Sequence, residues 1–444
     1  MSFPRTTLQD MLVSDKRPRL PGVTAAVVTT AAFAKTFIPF YLIGSTAIFA
    51  ATSALGVPLV IAGWRPTYDM ASKITDILVA KAAFYVLVVV SFLILSRPAV
   101  PMTHLLGILI FHGLFTIFGF SAARALKVVM VLLLGAAATY LVAIISYVVR
   151  FGKLMREGHL QDIFGVGDPA VYITFHQNIG TVLGLAALAG LGLASNRTRR
   201  ILAFGALPLV LLLMIYIAAR GALIALVCSL IFFAGAGLWL RSRKLALVTV
   251  PTIIVALTLA SGVFYQLALH DKSLLGSTDA ISRTIWELQD PRPGLRLGIW
   301  SEALHRISSE PDRLLFGRGI GMYPVIEGFG APDWLLRTNE GSKHYPHNVY
   351  LEMLYETGIA GLSLFMFLTL FPLAVALRRW SLLSLVQKSA VSMYVYQLVV
   401  SQLSGGFALG YLDQFFFALT AGIIALSRAD DVLVPDQHVA QGAK

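Results

Sequence analysis

Residues 127–149 read KVVMVLLLGAAATYLVAIISYVV, an apolar run broken by no charge after its opening lysine. A transmembrane α-helix needs about 20 such residues to cross the hydrocarbon core, whereas a spanning β-strand needs only ~10, alternating in character. The run therefore predicts a helix in lipid, and the chain around it repeats the pattern. Of its 444 residues 57% are hydrophobic and 13% charged, against about 25% charged in a soluble domain. Apolar windows predict spans near 22–38, 44–62, 77–95, 102–120, 127–149, 171–194, 201–219, 221–240, 245–265, 349–377, 386–404 and 412–427, with Lys35 and Pro39 interrupting the stretch between the first two. The expected fold class is an all-α polytopic membrane protein with about 12 transmembrane helices.

The net charge of +12 reads as a topology signal, not as a nucleic-acid footprint. With the amino terminus inside, most lysines and arginines fall on the inner side, including Lys73, Lys81, Arg124, NRTRR (196–200) and RSRK (241–244). Residues 1–21, with Asp10 and Asp15 among basic residues, lack the short apolar region and small-residue site of a cleavable signal, and read as a cytoplasmic tail. Spans one to nine occupy 22–265, a loop domain 266–348, spans ten to twelve 349–427, and a second cytoplasmic tail 428–444. The loop falls outside the cytoplasm and carries turn signals at DPRPG (290–294), EPD (310–312) and GFGAPDW (328–334). The single cysteine, Cys228, excludes an intrachain disulfide. No pair of halves with matching broken spans is evident, which disfavours a transporter of inverted-repeat design.

Titratable residues gather where the loop meets span ten, at HYPHNVYLEMLYETGIAGLSLF (344–365). Pro346 disfavours helix at Tyr345, and Asn348 is a good N-cap for a helix from Val349. His347 then stands on a turn just outside a helix start, an environment that favours anions. Glu352 and Glu356 lie one turn apart, and each costs about 2–3 kcal/mol in lipid. Residues 349–357 are thus expected to line a polar cavity or stand above the membrane, and 359–377 to span it. His347 reads either as a capping or interfacial histidine or as a general base, since imidazole titrates nearest neutral pH. His344 and His347 make a poor metal pair, with no HExxH motif and no cysteine cluster. No metal is expected.

Three arginines are candidate anion-binding groups. Arg220, in IAARGALIALV (217–227), interrupts about 40 apolar residues; it is either a snorkelling helix-end arginine or a partner for an anionic substrate. In LRLGIWSEALHRI (295–307), Trp300, Ala303, Leu304 and Ile307 share a helical face with Arg296 at its leading edge. That helix is expected to lie on the membrane or against the bundle. Arg318 sits in FGRGIGMY (316–323), whose glycines allow close approach to a ligand but form no nucleotide motif. Arg296 is the better placed of the last two, and a guanidinium fork suits a diphosphate.

In order, ARGALIAL (219–226), RLGIWSEAL (296–304), Pro311 with GRGIGMY (317–323), and PHNVYLEMLYETGIAGL (346–362) resemble the O-antigen ligase/polymerase superfamily, with HQN (176–178) as a weaker echo. The resemblance implies a multi-pass enzyme of the bacterial inner membrane, GT-C-like, with one large periplasmic loop between spans nine and ten. Such enzymes are inverting and metal-independent, without a cofactor. They move a glycan from undecaprenyl diphosphate, at the periplasmic face, to lipid A–core in ligases or to another lipid-linked repeat in polymerases. A related branch uses protein hydroxyls. By this resemblance Arg220 and Arg296 hold the diphosphate, His347 activates the acceptor hydroxyl or positions it, and Asn348 orients its neighbour; Arg318 and Glu352 are supporting candidates. The first outer segment, FAKTFIPFYLIG (33–44), has no acidic residue of the kind that metal-dependent GT-C enzymes carry there. A flippase is the rival from another class; it would carry charges along the middle of several spans, whereas here the polar residues gather at the outer ends.

Overall fold

The computed structural model describes residues 19–34, 45–97, 99–151, 169–216, 219–245, 247–248, 296–327, 346–408 and 410–432. They form helices α1 (Arg19–Ala32), α2 (Ser45–Ala62), α3 (Trp64–Ser72), α4 (Thr75–Ser91), α5 (Met102–Ala123), α6 (Leu126–Phe151), α7 (Pro169–Leu193), α8 (Arg197–Tyr216), α9 (Arg220–Arg241), α10 (Arg296–Ser309), α11 (Met322–Ile326), α12 (Val349–Arg378), α13 (Leu385–Ser404) and α14 (Tyr411–Val432). A π turn, Phe92–Ser96, extends α4. Among the described residues there is no strand.

Among the described residues six stretches are long and apolar enough to cross a membrane: Thr75–Ser96, Met102–Ala123, Leu126–Ser146, Arg197–Ile215, Arg220–Arg241 and Val349–Arg378. The all-helical membrane architecture is therefore present, with six candidate spans among the described residues and about twelve expected over the whole chain. Shorter apolar helices cover Leu20–Ala32, Ala47–Ala62 and Asn178–Leu193. Most of the expected ninth span, residues 1–18 and 433–444 of the two expected tails, and the loop apart from 296–327 and 346–348 lie outside the described residues, while Arg19 and residues 428–432 continue α1 and α14 into the tails.

Close helix contact uses small residues, as expected where lipid tails provide no hydrophobic drive between helices. A Cβ added to Gly119 of α5 would stand 2.2 Å from the Phe415 carbonyl oxygen of α14, so these two helices touch backbone to backbone. Gly184 of α7 lies under the Tyr396 ring of α13, whose hydroxyl donates to the Gly180 carbonyl at 3.2 Å. The same helices are joined further along by Ser389 Oγ donating to the Leu188 carbonyl.

Lys81 departs from its expected place among the inner-face charges. It is buried inside α4, donating from Nζ to Thr116 Oγ1 at 2.5 Å and Gln414 Oε1 at 2.7 Å, and it lies 4.5 Å from the centre of the Phe417 ring. Asp413, also buried, accepts from Gln397 Nε2 at 2.8 Å and Ser401 Oγ at 2.5 Å. These polar faces turn inward on α13 and α14, helices of 20 and 22 residues that are not among the six candidate spans.

The basic helix ends meet on one side of the bundle. Arg428 of α14 reaches both oxygens of Asp76 at 3.1 Å and the Lys73 carbonyl at 2.6 Å. Arg379 at the end of α12 donates to the Ser427 side chain at 2.9 Å and carbonyl at 2.7 Å. Residues 346–358, at the other end of α12, are on the opposite side.

Candidate active site

The local chemistry of PHN sets the start of α12. Asn348 is extended (φ −150°, ψ 107°), and its side chain accepts the Leu351 N–H at 3.0 Å, satisfying one of the orphan donors of a first helical turn. The residue before it, His347, has φ of 53° and is half-buried; it is the one non-glycine with positive φ among the described residues. A left-handed conformation costs a side-chain-bearing residue on the order of 1–3 kcal/mol and persists only where the surroundings impose it. The surroundings here are explicit.

On one side Trp300 of α10 donates its indole N–H to the carbonyl of buried Pro346 at 2.7 Å. Trp300 stands one helical turn after Arg296, so the bond that braces the His347 turn also brings the start of α10 to it. The side chain of Arg296 itself lies outside the described residues, as does His344. On the other side the Tyr350 N–H donates to Gln402 Oε1 at 3.3 Å, tying the first turn of α12 to the end of α13. Buried Glu352 accepts the Phe407 N–H at 2.8 Å and holds the turn between α13 and α14 against the same helix start.

Arg220 opens α9 and is half-buried. Its neighbour Gly221 faces the end of α13: a Cβ there would lie 3.5 Å from Leu403 Cβ and 3.6 Å from Ser404 Oγ. The structure thus brings the Arg220 helix start and the His347 turn to the same end of α13. Gly180 of α7 packs against Ala219 and Ala222 and leaves half-buried Asn178, the last residue of HQN, half a turn away. The His176 and Gln177 side chains lie outside the described residues.

Arg318 is placed differently. It is buried, donates to the Arg306 carbonyl at 2.7 Å, pairs with Glu310 at 3.2 Å and lies 4.5 Å from the centre of the Tyr355 ring. Its segment docks by backbone into a break in α12 at Gly358 (φ 65°, ψ −167°). The Arg318 N–H donates to the Tyr355 carbonyl at 3.2 Å and the Gly319 N–H to that of Glu356 at 2.8 Å. Ile359 and Ala360 donate in return to the carbonyls of Leu314 and Leu315, at 2.9 and 3.1 Å. Glu356 adds its carboxylate, accepting the Tyr323 N–H at 3.1 Å. Burial, reinforced by nearby carboxylates led by Glu327, raises the Tyr323 phenol above its ordinary pKa and keeps it protonated.

Sequence reasoning missed Trp300 as a brace, Gln402 as the link to α13, and Glu356 as the anchor of the glycine turn. The first carried a signal, since Trp300 was on the Arg296 face; the other two depend on partners far along the chain. Among the described residues no three His, Cys, Asp or Glu side chains are grouped to hold a metal ion.

This is a multi-helix membrane protein with a braced histidine turn beside two arginine-led helices. Residues 185–366 match the family model described as O-Antigen ligase, a region running from α7 into α12 that contains Arg220, Arg296, Arg318, His347, Asn348 and Glu352. The match bears out the resemblance to the O-antigen ligase superfamily, a glycosyltransferase-like family acting on lipid-linked glycans and a glycan acceptor. A comparison with curated proteins finds no match.

Proposed function

We propose that the protein is an O-antigen ligase-like glycosyltransferase of the bacterial inner membrane. It moves a glycan from undecaprenyl diphosphate to an acceptor hydroxyl, on lipid A–core or a similar glycan, at the periplasmic face. The observation that carries this reading is the strained His347 turn, braced by Trp300 and joined through α13 to the helix start that bears Arg220. His347 takes the proton of the acceptor hydroxyl as its oxygen bonds to the anomeric carbon. The bond from that carbon to the diphosphate oxygen breaks, and its electron pair leaves with undecaprenyl diphosphate. Attack from the opposite face inverts the anomeric centre. Arg220 and Arg296 stabilise the charge that develops on the leaving group, a contribution worth most where water is excluded, and no step calls for a metal. Asn348 holds the turn through its cap, while Glu352 and Arg318 support it from the packing around α12.

The buried charges of the bundle do not favour a flippase. Lys81 and Asp413 are each engaged by neighbouring side chains, which supports a role in packing between helices over one in a path across them. Sugar-chain analysis of a deletion strain tests the reading and separates its two branches. Loss of a ligase leaves polymerised glycan on the lipid carrier and a bare acceptor; loss of a polymerase leaves single repeats on the acceptor. Unchanged envelope glycans would contradict both.

A further inference from the structure

The strand of loop that follows α10 changes character within a few residues. Glu310, Asp312 and Arg313 have side chains 41%, 76% and 47% exposed, with Arg313 3.5 Å from Asp312. The next three residues are apolar and exposed as well: Leu314 38%, Leu315 54% and Phe316 62%. Three consecutive large apolar side chains at a surface mark an interaction site more often than a solvated turn.

Their position indicates what they meet. The backbones of Leu314 and Leu315 pair with those of Ile359 and Ala360, and a Cβ on Gly358 would come within 2.4 Å of the Leu315 carbonyl carbon and oxygen. The triplet is thus fastened to α12 at its break. From that break onward α12 is a candidate span whose exposed face is Ile359, Met366, Phe367 and Leu370. The exposed apolar triplet is therefore hydrogen-bonded to the start of the span's exposed apolar face, while the charged Glu310, Asp312 and Arg313 precede it in the chain.

We propose that Leu314, Leu315 and Phe316 insert into the bilayer leaflet on the His347 side, with lipid acyl chains as their partner. The segment 310–316 then acts as a wedge whose charged half stays at the headgroups, in the manner of interfacial anchors. The insertion sets the depth of the Gly358 break and of the docked 316–323 turn, whatever reaction the neighbouring site performs.

Spin-label accessibility tests this in the full chain reconstituted in phosphatidylethanolamine–phosphatidylglycerol vesicles. Cys228→Ser removes the one native thiol, and Phe316→Cys or Asp312→Cys carries the nitroxide. The expected result is a collision ratio, oxygen over a water-soluble nickel chelate, several-fold higher at 316 than at 312. Leu315→Cys repeats the measurement on the adjacent side chain, so the outcome does not depend on one variant folding. Equal access of the nickel chelate at 316 and 312 would overturn the proposal. So would a label at 316 shielded from both reagents, which would mean that the chain itself covers the triplet.

Discussion

The indole nitrogen of Trp300 lies 2.7 Å from the carbonyl oxygen of Pro346, and the residue that follows Pro346 is a histidine in the left-handed conformation. One hydrogen bond thus joins the helix that begins at Arg296 to the turn that presents His347. Replacing Trp300 by phenylalanine keeps the ring and removes the donor. A buried acceptor left unpaired, here the Pro346 carbonyl, costs about 1–3 kcal/mol, and displacement of a reacting group by an ångström can cost about 10²-fold in rate. Trp300→Phe is expected to lower glycan transfer at least tenfold through kcat, with the protein still present in the membrane; initial rates normalised to protein amount check it.

Asn348 supplies the cap that starts α12. Asn348→Ala should lower stability by about 1 kcal/mol, the usual cost of an N-cap, while Asn348→Asp should retain most of it. Thermal unfolding in detergent reads the difference. Equal loss in both variants would show that the amide group does something other than accept the Leu351 N–H.

The break at Gly358 makes a sharper contrast. Its φ is 65°, and a Cβ would meet the Leu315 carbonyl group at 2.4 Å, a backbone atom pair that cannot rotate away. Gly358→Ala should therefore destabilise strongly and release the 314–323 segment to proteolysis. Gly113→Ala in α5, where nothing lies within 4 Å of the added carbon, should be neutral or stabilising by up to about 1 kcal/mol. Limited proteolysis of the two variants side by side tests the docking.

Glu352 is buried with the Phe407 N–H on its carboxylate. Glu352→Gln keeps an acceptor of the same reach and should keep the fold. Glu352→Ala leaves a buried donor unpaired, at about 1–3 kcal/mol, and should loosen the turn between α13 and α14. Hydrogen exchange at residues 405–410 is the measurement, with faster exchange expected in the alanine variant alone.

The local features of the site were legible in the sequence. Pro346 and Asn348 act on their own neighbours, so the helix start at Val349 and its cap follow from local rules. The glycines of 317–321 signalled a turn, and all three adopt positive φ. Arg318 was a different matter: its partners Arg306, Glu310 and Tyr355 meet it only after the loop docks on α12. Lys81 was unreadable for the same reason, because the residues that engage it are 35 and 333 positions away. Hydropathy marked α13 and α14 as spans, at 386–404 and 412–427, but could not show that their polar residues face each other inside the bundle.

The most direct test of the catalytic claim compares the parent protein with His347→Asn in vesicles supplied with undecaprenyl-diphosphate-linked glycan and a lipid A–core acceptor. Asparagine tolerates the left-handed backbone at this position and has no basic nitrogen, so the substitution separates chemistry from fold. General base catalysis is worth about 10²–10⁴-fold. The parent is expected to transfer glycan, and the variant to do so about 100-fold or more slowly, with donor binding retained. Transfer by His347→Asn at the parent rate would contradict the catalytic claim.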